Sequence, residues 1–188
     1  MRRVAVSDHT PPDGRDGGDA AAMVIWIIGL SAADKTTVGA LLAERLRQDR
    51  GNVVFLDGDD LRAVWSDDLG HDVGARRVNA DRICRLCQVL DRQGLHVVTS
   101  ILSLFPESRA WNRAHLGRYF EVFLDVPMDE LKRRDTKGLY GGETPNVVGV
   151  DIPWEAPSEP DLRIAPRDVL EPPEAIAERI FGALGPIE

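Results

Sequence analysis

Met23-Val24-Ile25-Trp26-Ile27-Ile28 is an unbroken apolar run that stops at Gly29, and from Thr36 a helical period of Val38, Leu41, Leu42 and Leu46 takes over. An apolar run of this length suits a parallel strand covered on both faces, because a strand with one face in water alternates. The chain is thereby committed to a strand, a short loop and a helix in direct succession, and similar patterns recur downstream. Val53 to Leu56 reads as a second strand, with Asp57-Gly58-Asp59-Asp60 as an acidic loop at its carboxyl end. Residues 76–92 read as a long helix stopped by Gly94, 95–99 as a third strand, 107–116 as a short helix and 120–125 as a fourth strand. A helical stretch over 128–134, an edge strand at 162–164 and a closing helix over 173–184 complete the pattern. Such alternation predicts an α/β fold: a parallel sheet with helices on both faces, and ligands gathered at the carboxyl ends of the strands.

A chain of 188 residues fits one domain plus a tail. Residues 1–22 hold Pro11-Pro12, Gly14, Gly17-Gly18 and scattered aspartates, too little apolar surface to offset ordering entropy, so a disordered tail is expected before a domain over 23–188. Residues 138–160, dense in glycine and proline, are expected to form a mobile flap without regular structure. No run approaches the roughly 18 apolar residues of a membrane span, and Met1-Arg2-Arg3-Val4-Ala5 leads into polar sequence, which predicts a cytoplasmic protein. The net charge of -8 gives little attraction to nucleic acid or anionic lipid, so small-molecule partners are expected. Cys84 and Cys87 have no second pair nearby to complete a zinc site, and Cys87 falls on the apolar stripe with Ile83, Leu86 and Leu90, which predicts core packing.

Gly29-Leu30-Ser31-Ala32-Ala33-Asp34-Lys35-Thr36-Thr37 lies between the first strand and helix, the setting of a P-loop. That loop, G-x-x-x-x-G-K-[ST], cradles phosphates with backbone N–H groups, while its lysine bridges the outer phosphates and its hydroxyl holds Mg²⁺. Gly29, Lys35 and Thr36 match, and Asp34 replaces the second glycine. A Cβ and a carboxylate there are expected to weaken a nucleotide site that Lys35 and the helix N-terminus still favour. Asp57 and Asp59 at the end of the second strand are candidates for deprotonating an acceptor hydroxyl or holding Mg²⁺, and Arg62 for gripping an anion.

From Val24 to about Ile164 the chain resembles the adenylylsulfate kinases, P-loop kinases that move the γ-phosphate of ATP to the 3′-hydroxyl of adenosine 5′-phosphosulfate. The likeness rests on Ile28 to Ser31 with Lys35-Thr36-Thr37, Leu56 to Asp59 with Arg62, Leu69-Gly70 ahead of Arg76 and Asn79, and Asp91 through Gly94-Leu95. Ser103, Asp135-x-Lys137-Gly138-Leu139-Tyr140 and Trp154 to Pro157 extend it. It implies ATP and Mg²⁺ as cofactors, with Gly29, Ser31, Asp34, Lys35, Thr36 and Thr37 at the donor phosphates and Thr36 and Asp57 toward the metal. It implies a catalytic set of Lys35, Asp57, Asp59 and Lys137, without deciding which aspartate is the base. Arg62, His71, Arg76, Asn79, Ser103, Leu139 and Tyr140 fall at its acceptor or lid positions, and the likeness is compatible with a homodimer.

The departures concern the acceptor. Two phenylalanines sandwich the acceptor adenine in the family; His71 and Val147 stand at those positions here, and Leu104 replaces the proline after Ser103. Base stacking on an aromatic ring is worth about 1–3 kcal/mol. The expected activity is therefore phosphoryl transfer to a small anionic acceptor other than adenosine phosphosulfate. A true adenylylsulfate kinase and a catalytically silent relative are the alternatives. Arg85, Arg109 and Arg113 read as solvated helix faces or ion pairs.

Overall fold

A computed structural model describes residues 22–65, 70–142 and 144–186. The predicted order of elements holds: β1 (Val24–Ile28), α1 (Lys35–Asp49), β2 (Val53–Asp57), α2 (Gly58–Val64), α3 (Val73–Arg92), β3 (His96–Ile101), α4 (Pro106–His115), β4 (Tyr119–Leu124), α5 (Met128–Arg134), β5 (Leu162–Ile164) and α6 (Pro173–Ala183). The five strands pair in parallel in the order β2-β3-β1-β4-β5. Among the described residues no helix is long and apolar enough to cross a membrane. The predicted tail over 1–22 lies outside the described residues except for Ala22, which is buried.

One expectation is corrected at the end of β2: Gly58 to Val64 form a helix, not a loop. Asp57 is its N-cap, its carboxylate accepting the backbone N–H of Asp59 at 2.8 Å, and Asp59 and Asp60 sit in the first turn, where acids are favoured. Asp72 likewise caps α3 by accepting from the N–H of Ala75, so that helix starts three residues before Arg76. Residues 138–160 are also more regular than expected. Leu139–Gly141 make a 3₁₀ turn, Val148 bridges Ile152, and Val147, Val148 and Ile152 are buried in the core.

β1 shows why its apolar run is unbroken. Alternate residues face opposite sides of a strand. Ile25 and Ile27 enter the core beneath α1 and α6 with Leu42, Leu46 and Ile180, while Val24, Trp26 and Ile28 enter the other with Ile83, Cys87, Val97 and Phe123. Each fully buried side chain of this size contributes about 1.5–3 kcal/mol. Cys84 and Cys87 are buried free thiols in the second core, as the stripe predicts for Cys87. Burial raises both, Cys84 to about 11, so neither supplies a thiolate near neutrality. Gly39 lets α1 lie against β2 and β3: a Cβ there would stand 2.3 Å from Ser100 Oγ and 2.7 Å from the Phe55 ring. Ser100 Oγ donates to the Lys35 carbonyl at 2.8 Å, tying the start of α1 to β3.

His96 opens β3, buried, with its Nδ1 accepting the Met23 N–H at 3.2 Å. Burial, then Arg50 and Arg118, pull its pKa below the ordinary value. The unfolded chain therefore binds the proton more readily, and the stability of the neutral ring is present above about pH 6.5 and lost as pH falls through the lower folded value. Chemical-denaturation midpoints should decline below about pH 6.5 in the wild type, and less so in His96→Gln, which keeps an uncharged acceptor.

Candidate active site

A cavity of about 590 Å³ opens at the carboxyl ends of β1, β2 and β3, between the loop after β1 and the start of α3. On one side the loop adopts a backbone that side chains disfavour: Ala32 has φ 62° and Asp34 φ 57° and ψ 22°, while Ala33 between them is not at positive φ. Alternation of this kind turns successive N–H groups into an anion-binding concavity. Holding non-glycine residues there costs on the order of 1–3 kcal/mol each, and such strain concentrates at functional sites. Gly29 lets the loop leave β1, since a Cβ there would meet Ala33 Cβ at 3.1 Å and the Leu124 carbonyl at 3.3 Å.

Ser31, Asp34, Lys35, Thr36 and Thr37 all border the cavity. The Asp34 carboxylate expected to weaken the site is paired: its Oδ2 lies 2.7 Å from Arg134 Nη1. Thr36 Oγ1 donates to Asp57 Oδ2 at 2.6 Å, and Asp57 Oδ1 holds the Asp59 N–H, so both oxygens of this buried carboxylate are engaged. Asp59 is exposed and its carboxylate lies 3.5 Å from Lys137 Nζ. Lys35 Nζ donates to the Leu30 carbonyl at 2.7 Å. Burial lowers Lys35 to about 8 against the opposing pull of Asp59, Asp57 and Asp34. A phosphate ligand needs the ammonium form, which is complete below this value and lost above it. Affinity for an ATP analogue, measured by calorimetry from about pH 6.5 to about pH 9.5, should be flat at first and fall above pH 8.

The far end of the cavity is lined by Arg62, His71, Arg76 and Asn79, with Leu104 and Phe105 behind them. Arg62 donates to the Gly70 carbonyl at 3.2 Å. Arg76 donates through Nε to the His71 carbonyl at 2.8 Å and through Nη2 to the Asn146 carbonyl at 3.0 Å. Burial and the nearby Arg62 cation both pull the Arg76 pKa down, the electrostatic mark of two guanidiniums crowded around a space that suits an anion. Asn79 lines this end as well, and its Oδ1 is buried without a hydrogen-bond partner among the described residues.

Two positions matched to the acceptor or lid, Val147 and Tyr140, do not border the cavity. Val147 packs in the core instead of bordering the cavity, although the carbonyl before it holds Arg76. Tyr140 is buried behind the phosphate loop, where its hydroxyl donates to the Ser31 carbonyl at 2.9 Å, so it props the loop; Leu139 does border the cavity. Ser103 borders the cavity, but its Oγ accepts from Trp26 Nε1 at 3.1 Å and its backbone sits at φ 52°. Its carbonyl accepts from Arg109, which is buried and ion-paired with Glu121, one of the two readings of that residue. Sequence reasoning missed Arg109 as an anchor of the 102–105 loop. It also missed Arg134 as the partner of Asp34; its one signal was a basic residue at the end of a helix that precedes the Lys137 segment.

The family model for adenylylsulphate kinase matches residues 21–165, the phosphate loop and acceptor end together. The chain belongs to the adenylylsulphate kinase family. As a member it is an ATP-dependent kinase built on a P-loop α/β sheet. It is 38% identical over 148 residues to a cytidine diphosphoramidate kinase of Campylobacter jejuni, covering 75% of this chain and 84% of that one. It is 36% identical over 168 residues to an adenylyl-sulfate kinase of Pseudomonas aeruginosa, covering 86% and 84% respectively. In structure it is similar to an APS kinase of Mycobacterium tuberculosis in complex with AMPPNP and APS, with a TM-score of 0.78 and 31% identity over 90% of this chain and all of that one. Relatives of comparable identity thus carry names with different acceptors, and the family alone leaves the acceptor open.

Proposed function

We propose that this kinase transfers the γ-phosphate of ATP to a hydroxyl of a small anionic acceptor other than adenosine phosphosulfate. The paired guanidiniums of Arg62 and Arg76 carry this reading. Like charges held close are tolerated where a ligand neutralises them, and arginine forks suit phosphate, sulfate and carboxylate. Adenine gains no two-sided aromatic grip, since His71 holds one clamp position and Val147, at the other, is in the core.

The residues of the phosphate loop fit a magnesium nucleotide: a concave run of N–H groups, a lysine at its mouth and a threonine hydroxyl beside a buried carboxylate. Thr36 and Asp57 would hold the Mg²⁺, which when bound neutralises charge on the donor phosphates. Lys35 stabilises negative charge on the transferring group. Asp57, with both oxygens engaged, orients Thr36 and the first turn of α2. Asp59, projecting from that turn, is the general base that takes the acceptor's hydroxyl proton, with Lys137 Nζ 3.5 Å from its carboxylate. Arg62, Arg76 and Asn79 orient the acceptor so that its hydroxyl faces the donor.

The test is a product screen. Purified protein with MgATP is offered adenosine phosphosulfate, cytidine diphosphoramidate, other nucleotides and phosphorylated alcohols, and products are read by the mass of one added phosphoryl group. An anionic acceptor outside adenosine phosphosulfate should dominate, and Arg62→Ala should weaken every productive acceptor. Adenosine phosphosulfate as the sole productive acceptor would assign the chain to the adenylyl-sulfate kinases instead, and no product with any acceptor would favour a silent relative.

A further inference from the structure

Asp34 places a carboxylate on a loop shaped for phosphates, at a backbone conformation that cannot change without undoing that shape. The charge of that half-exposed carboxylate has a cation beside it. Arg134, one hundred residues away at the end of α5, meets it with Nη1, while Arg134 Nη2 donates to the Val169 carbonyl at 2.9 Å and Nε pairs with Glu130. Arg133 also pairs with Glu130, so two carboxylates and two guanidiniums form a cluster with no net charge. The two arginines pull the Glu130 carboxyl down to about 2 and keep it ionised. Held from three directions, the Arg134 guanidinium is fixed beside the phosphate loop, and both Asp34 and Arg134 border the cavity.

We infer that Arg134 is a positioning residue that shields the donor phosphates from Asp34, and that this pairing lets a loop without its second glycine still bind a nucleotide. The inference rests on the reading of this loop as the donor site. It differs from a direct contact between Arg134 and the nucleotide. A guanidinium engaged by Asp34, Glu130 and Val169 acts by neutralising a neighbour, so its importance depends on that neighbour being charged.

The dependence is measurable as a double-mutant cycle in MgATP affinity, by calorimetry on the full chain, with Arg134→Gln, Asp34→Asn and the double variant. Asparagine tolerates the left-handed backbone, so Asp34→Asn removes the charge and keeps the loop. Arg134→Gln should weaken MgATP about tenfold or more in the wild-type background, and less than about threefold in Asp34→Asn. Arg134→Lys, which keeps a cation near Asp34, should recover most of the loss, and thermal midpoints identify any variant that fails to fold. Equal losses in both backgrounds overturn the inference, because Arg134 would then serve the nucleotide directly. No loss in either overturns it too, since Asp34 would not then be felt by the phosphates. If the wild type binds no MgATP, the reading of the donor site itself fails, an outcome distinct from binding without coupling.

Discussion

Lys35→Ala is expected to lower kcat by about 10³-fold, with the fold intact. The lysine borders the cavity from the phosphate loop, and removing one preorganised charge stabiliser costs roughly 10²–10³ in rate, more where the group acts on a transferring phosphoryl. The free side chain is bonded to the Leu30 carbonyl, an interaction within the loop that contributes about 1 kcal/mol, so stability should change little. Single-turnover kinetics with saturating MgATP and acceptor separates the chemical step from binding, and circular dichroism checks the fold. Turnover within a few-fold of wild type would place the chemistry elsewhere.

Asp59→Asn is expected to lower kcat by about 10²–10⁴-fold, the range for loss of a positioned general base. Asp57→Asn should differ in kind. That residue caps α2 and accepts from Thr36, so its loss should raise the Mg²⁺ concentration needed for half-maximal rate and reduce stability by about 1 kcal/mol. Asp59 is exposed and joins the cap only through its backbone N–H, so Asp59→Asn should leave stability and the magnesium requirement close to wild type. Magnesium titrations and denaturation midpoints of the two variants therefore decide between them. A shared magnesium shift would mean that both carboxylates face the metal.

Much of this site was legible in the sequence because its parts are local. A strand, a loop with Gly29, Lys35 and Thr36, and an acidic turn after the next strand are each short segments, and the parallel topology brings them together. α2 was missed because the acidic run reads equally as a solvated turn until Asp57 is seen capping it. What was not legible depends on distant partners. Asp34 read alone predicts repulsion; Arg134 pairs with it, and nothing in the spacing of positions one hundred apart announces that contact. Val147 follows the same logic. Its position along the chain matches an acceptor clamp, but the bridge between Val148 and Ile152 turns the segment so that its apolar side chains complete the core. Tyr140, aligned with the lid, instead fills the space behind the phosphate loop, because its hydroxyl finds the Ser31 carbonyl there.

We propose that the acceptor pocket selects an anion and not an adenine. The most direct test is kcat/KM of the wild-type protein for adenosine phosphosulfate at saturating MgATP, measured beside the best acceptor from the product screen. Without a two-sided aromatic clamp, up to about 2 kcal/mol of stacking is absent, so adenosine phosphosulfate should fall below that acceptor, by up to about 30-fold on this ground alone. Equal or higher kcat/KM for adenosine phosphosulfate would contradict the account, because the purine would then be selected without the rings assumed to select it.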